Sequence, residues 1–244
     1  MSQPTARKNE AAPHAFTPTY PMYVLPVATL LKLKKLTVHD ALIKDNLLVK
    51  WTDEMQGKVI GVSHQWLAYM EPDPNRDHFH CLSRILERIV TGEIKWLEHY
   101  WMHACSFYTL GVSAKEWSGE IQNMYVWIDY SSMPQLSPGS TTTNIKDAGS
   151  AILSLPAYFE RCSMLLVLAP VVHHAGTGAV CNYRTWRERG WCRLELMSAI
   201  LSAHDVKCVV CTGPEAPPFL VHPCDGPRLV PGTGRFSCCD LGHT

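Results

Sequence analysis

Met164-Leu165-Leu166-Val167-Leu168-Ala169-Pro170, followed after a polar loop by Arg189-Gly190-Trp191-Cys192-Arg193-Leu194-Glu195-Leu196, decides how this chain folds. The first run is continuously apolar and closed by a proline, as befits a parallel strand covered on both faces. The second opens on a Trp-Cys pair and predicts a helix over 191–203, with Glu195 one turn past Trp191. Working outward, Met124 to Asp129 reads as another strand, and it carries a carboxylate at its end. Two acidic side chains, Asp129 and Glu195, then meet at one edge of a sheet, where open α/β folds place their ligands.

The chain has 244 residues, enough for one sizeable α/β domain with its own core. Lys+Arg and Asp+Glu both total 22, which argues against a nucleic-acid-binding surface or a trap for acidic substrates. The first residues are polar and hold no apolar core of the kind a signal peptide needs. No apolar run approaches the ~20 residues of a membrane span. A cytoplasmic location follows as the expectation. Cys81, Cys105, Cys162 and Cys192 are expected as reduced core residues.

Residues 1–20 read as a disordered leader and 21–56 as an N-terminal extension. Within that extension, Thr37 caps a short helix over Val38–Ile43. Residues 57–212 form the α/β domain. Its first strand is Lys58–Ser63, and a helix beginning near Asn75 buries Phe79, Leu82, Ile85, Leu86, Ile89 and Val90. The aromatic stretch from Ile94 to Trp117 reads as an inserted helix packed on the sheet edge. A loop over Ser137–Asn144 precedes a helix from Asp147 to Arg161, with Pro156 as an irregularity. His173 to Arg187 reads as a polar loop, and Val206 to Cys211 is the last strand. The β-α-β-α-β-α-β order predicts a parallel sheet. Residues 213–244 form a Pro/Gly/Cys-rich tail without a closing element, as in a fragment of a longer chain.

Trp191, Glu195, Ser198 and Ser202 share one face of the last helix, and Leu194, Met197 and Leu201 form its apolar stripe. Two readings of Glu195 stay open. It is a carboxylate for ribose hydroxyls or a developing oxocarbenium ion, or a helix glutamate paired with Arg187, Arg189 or Arg193. No glycine-rich phosphate cradle follows a strand, which argues against a dehydrogenase or an NTPase. A cysteine hydrolase would need Cys192 or Cys162 beside His173 or His174. A structural zinc in the tail would draw on Cys208, Cys211, His222, Cys224, Cys238, Cys239 and His243, although Cys208 and Cys211 sit three apart on a strand and point to opposite faces.

The motifs resemble those of the Toll/interleukin-1 receptor (TIR) domain family, at Val59–Ser63, Trp127–Asp129 and Trp191 with Glu195. Val62-Ser63-His64-Gln65-Trp66 and Trp127-Ile128-Asp129 also resemble signatures of the fungal heterokaryon incompatibility (HET) domain. The likeness spans about Lys58 to Thr212. It departs at Ser132 and Pro134, where the HET pattern has Cys and Asn. The resemblance implies a flavodoxin-like, TIR-like three-layer fold with a central parallel sheet, a helical insert and the N-terminal extension. It implies a signalling or defence role, with either cleavage of NAD to nicotinamide and ADP-ribose or non-enzymatic homotypic self-association. Glu195 would be catalytic. Ser63, His64, Trp66, Asp129 and Trp191 would contact the nucleotide, and Ser137–Asn144 would be a lid. NAD enters as substrate, with no resident cofactor or metal and no nucleic-acid or membrane partner.

Overall fold

The computed structural model describes residues 16–99, 111–113, 121–137, 140–221 and 229–236. Its strands are β1 (Tyr23–Pro26), β2 (Val49–Lys50), β3 (Val59–His64), β4 (Trp96–His99), β5 (Gly111–Ser113), β6 (Tyr125–Ile128), β7 (Met164–Leu168), β8 (Val172–His173), β9 (Val180–Cys181), β10 (Lys207–Cys211) and β11 (Phe219–Leu220). The helices are α1 (Val27–Leu30), α2 (His39–Lys44), α3 (Asp77–Val90), α4 (Asp129–Ser132), α5 (Thr142–Leu153), α6 (Leu155–Glu160), α7 (Tyr183–Trp186) and α8 (Gly190–Ile200).

All strands but β8 and β9 join one 9-stranded sheet in the order β2-β1-β6-β3-β7-β10-β11-β4-β5. Its centre is parallel: β3 pairs with β6 and β7, and β7 with β10. The flanks are mixed, because β1 runs antiparallel to β6 and β11 antiparallel to β10. In chain order the central strands lie second, first, third, fourth. The chain thus leaves β3 to one side and returns to the other, which creates a switch point beyond the carboxyl ends of β3 and β7.

Alternation along the strands splits the core in two. Ile60, Val62, Val126, Ile128, Leu166 and Val209 face α1 and α3. Val59, Trp127, Leu165, Val167 and Val210 face α6 and α8. The fold is therefore three-layered, and every residue of β3 and β7 is buried. Each large aliphatic side chain so covered stabilises the fold by about 1.5–3 kcal/mol. Gly61 permits the closest approach, since a Cβ there would lie 3.1 Å from both Cys162 Sγ and the Phe159 ring.

Several expectations change. The described part of the aromatic stretch is strand rather than helix: β4 and β5 pair antiparallel at the sheet edge. Leu97 is buried while Trp96 is exposed, the two-residue alternation of a half-covered strand. Residues 100–110 and 114–117 of that stretch lie outside the described residues. Residues 16–20 of the expected leader are tied down, with Phe16 N–H donating to Glu160 and Thr19 N–H to Ser154. The first residue of α2 follows Val38 without a side-chain cap from Thr37. Pro156 sits in the first turn of α6 and separates two helices. The segment after Gly213 adds β11 to the sheet. The six cysteines among the described residues are free and buried, Cys81, Cys162 and Cys192 among them, and Cys105 lies outside. No helix among the described residues is long and apolar enough to cross a membrane.

Candidate functional site

The last two residues of β3 project to opposite faces of the sheet, and each engages one carboxyl group. Ser63 points towards α7 and α8. Its Oγ donates to Glu195 Oε2 at 2.5 Å and accepts from Trp186 Nε1 at 3.1 Å. Trp186 is fully buried on α7, whose start is fixed by a reciprocal cap between Asn182 and Thr185. Glu195 is 7% exposed, and among the described residues it forms no ion pair. Burial, and then the charge on Asp129, push its carboxyl well above the ordinary range, against the pull of the Ser63 hydroxyl.

His64 points the other way, towards α3. Its Nε2 lies 3.0 Å from Asp129 Oδ1, and its Nδ1 lies 3.1 Å from Nδ1 of His78. Asp129 Oδ2 accepts from Trp66 Nε1 at 2.9 Å, and Oδ1 accepts from the Tyr130 backbone N–H at 2.6 Å. Burial works to raise the Asp129 carboxyl, but His64 and the two N–H donors outweigh it and hold the group below its ordinary value. Burial, and then the charge on His64, push His78 well down, so it is neutral. One of the two facing Nδ1 atoms must carry the hydrogen of their contact. His78 is in the first turn of α3, beside Asp73, which accepts the N–H groups of His78 and Phe79.

A cleft of about 420 Å³ opens at this edge, within the range of small-molecule sites. His64, Trp66, Asp129, Trp191 and Glu195 all line it. Ser63, fully buried, lies beneath and reaches the cleft only through Glu195. Met133, Pro134, Leu136 and the α5 residues Ala148 and Ile152 give the cleft its apolar lining. Trp66 stands edge-on to Tyr130 with ring centroids 5.9 Å apart, which with its bond to Asp129 fixes the ring as a wall. Trp191 is 43% exposed at the mouth.

No protein-family model, curated protein or solved structure matches this chain.

The helix carrying Glu195 is turned differently from its expected orientation. Cys192, Glu195, Leu196 and Ala199 face the core, whereas Leu201 is 74% exposed and Leu194 and Met197 are half-buried. The pairing of Glu195 with arginine does not occur: Arg193 donates to the Arg187 carbonyl and to Thr233. The Ser137–Asn144 lid also changes character. Thr141 caps α5, accepting from the Asn144 N–H at 3.2 Å, so Thr142–Asn144 are helical. Pro138 and Gly139 lie outside the described residues.

Cys192 is buried, and burial, and then Glu195, push its thiol well above its ordinary value, which disfavours the thiolate that a nucleophile needs. Among the described residues no group of three or more His, Cys, Asp or Glu is arranged to hold a metal. Cys208 and Cys211 lie buried in β10, and the other expected zinc ligands lie outside the described residues. The sequence reading missed His78 and Trp186. His78 falls on the buried stripe of α3, at the spacing of Leu82, Ile85 and Ile89, and that is the signal that marks it.

Proposed function

We propose that this chain is a flavodoxin-like domain related to the TIR and HET families, and that its cleft hydrolyses the nicotinamide–ribose bond of NAD or a related nucleotide in cytoplasmic signalling or defence. One observation carries the reading: two carboxyl groups line one cleft in opposed settings, Asp129 accepting from three N–H groups and the buried Glu195 from the Ser63 hydroxyl alone. This lowers the proton affinity of the first and raises that of the second, the arrangement that divides acid, base and electrostatic roles. Breaking an N-ribosyl bond builds positive charge on the ribose. Asp129, ionised and held by three N–H donors, supplies a fixed negative charge facing that cation. Glu195 starts protonated. A pyridinium ring bound beside it favours the ionised carboxylate by its opposite charge, and the proton passes to solvent. Glu195 then accepts the proton of the water that adds to the ribose carbon as neutral nicotinamide leaves. Trp66 and Trp191 wall the cleft against bulk water.

The test is nicotinamide release from NAD by purified protein at high concentration, beside Glu195→Gln. Release that disappears in the variant supports this role. Release that survives keeps the activity and discards Glu195. A second reading, a non-enzymatic module that self-associates, draws on the exposed apolar residues Leu136, Ile145, Ile152 and Leu153 on and beside α5. It gains if neither protein releases nicotinamide and if Leu153→Glu dissolves an association seen by sedimentation.

A further inference from the structure

Two buried imidazoles, His64 and His78, have no part in the reaction proposed above. His64 lines the cleft from the end of β3, and His78 sits behind it in the first turn of α3. Their rings meet edge-on, with planes 79° apart and centroids at 5.1 Å, and the atoms brought together are the two Nδ1, 3.1 Å apart.

The start of α3 is fixed independently of that contact. Arg76 turns the chain at φ 67°, a left-handed conformation uncommon for a residue other than glycine. Asp73 then accepts the His78 and Phe79 N–H groups, one on each carboxyl oxygen, at 3.1 and 2.7 Å. The backbone thereby seats His78 behind the end of β3. Asp129 on α4 and Asp73 before α3 are the carboxyl groups that feel the charge on His64, and Asp77, also at the start of α3, acts on Asp73.

The hydrogens at this contact have few placements. Asp129 is an ionised acceptor, so the nitrogen that His64 turns to it, Nε2, must carry a hydrogen; a bare nitrogen would set a lone pair against the carboxylate. When His64 is neutral its Nδ1 is then bare, and His78 must donate from its own Nδ1. When His64 is protonated its Nδ1 donates, and His78 must accept there and carry its hydrogen on Nε2. A donor-only or acceptor-only side chain would serve one of these states, whereas a neutral imidazole serves both by exchanging tautomers.

We infer that His78 is a positioning residue: it partners His64 Nδ1 as donor or acceptor, and so keeps the Nε2 hydrogen of His64 on Asp129 in both charge states of that ring. Asp129 in turn keeps its negative charge on the cleft. The bearing of this on catalysis rests on the hydrolase reading; the arrangement of hydrogens does not.

Long-range proton–nitrogen correlation spectra of the ligand-free protein, with nitrogen-labelled histidine, read which atom of each ring carries hydrogen. His64 is expected to hold one on Nε2 throughout. His78 is expected with Nδ1–H wherever His64 is neutral and with Nε2–H wherever it is charged. A bare His64 Nε2 overturns the inference, as do two protonated or two bare Nδ1 atoms. These spectra need no variant to fold. His78→Leu fits the apolar stripe of α3 but offers His64 no partner, so the Asp129 carboxyl should titrate higher than in wild type. Nicotinamide release should then fall about tenfold in kcat, with its acid limb moved to higher pH. His78→Asn, whose amide can turn to donate or accept near the place of Nδ1, should restore both. An Asp129 that titrates alike in wild type and His78→Leu overturns the role. A raised Asp129 in a protein that releases no nicotinamide keeps the positioning and discards the hydrolase. Release unaltered by His78→Leu does the reverse.

Discussion

Ser63 and His64 are neighbours in the chain, yet the carboxyl groups they hold behave oppositely. On the Ser63 side, Glu195 meets a hydroxyl whose second partner is an indole N–H, and nothing nearby offsets the cost of burying a charge. On the His64 side, Asp129 meets an imidazole, an indole N–H and a backbone N–H. The two also differ in depth, Glu195 being 7% exposed and the Asp129 side chain 25%, so more donors and more solvent act together to keep Asp129 ionised. The comparison shows how a strand does this cheaply, since a step of one residue moves the side chain to the other face.

The largest expected effect breaks the charged side. Asp129→Asn takes the charged acceptor from the buried His64 and from the Trp66 and Tyr130 N–H groups, and should destabilise the fold by about 2 kcal/mol at pH 7, read by urea unfolding. The pH dependence has a definite sign. The folded value of Asp129 lies below its ordinary 3.8, so its contribution is present above that value and is lost as pH falls through the folded one. The variant should lack this acid-side loss. Next, Ser63→Ala strands the Trp186 N–H in the core and should cost about 2 kcal/mol. It also removes the hydroxyl that restrains the proton affinity of Glu195, so that affinity should rise further, as seen by carboxyl infrared titration. The smallest effect sharpens the comparison from the neutral side. Glu195 has a raised folded value, so wild-type stability should decline as pH rises above the ordinary 4.5 until the folded value is passed. Glu195→Gln should remove that decline, melting roughly 2–4 °C higher than wild type at pH 8 and level with it at pH 4.

The central strands were legible because strands covered on both faces read as unbroken apolar runs: β3, β6, β7 and β10 all lie where that pattern put them. The parallel pairing followed from the alternation with helices. The flanking strands were not legible. β2 and β11 have two residues each, too few to show any period, and β1 ends on Pro26. The cleft was half legible. Five of the six nominated residues share it because motifs at strand ends fall at the switch point by construction. The facing of α8 was not, because its apolar side chains are spread around the helix, so Leu194 and Leu201 gave a stripe pointing away from the core. The partnership of Ser63 with Glu195 spans 132 positions and leaves no local trace.

The first strand of the sheet also has a consequence for how the protein is made. Leu25 pairs with Val126, which leaves the ribosome about a hundred residues later, or roughly 5–20 s at common rates of synthesis. Throughout that interval β1 has only β2 to pair with, and Val24 and Leu25, both buried in the finished fold, stay uncovered. The nascent chain therefore carries an open apolar edge for most of its early life, a window in which a holding chaperone has something to grip.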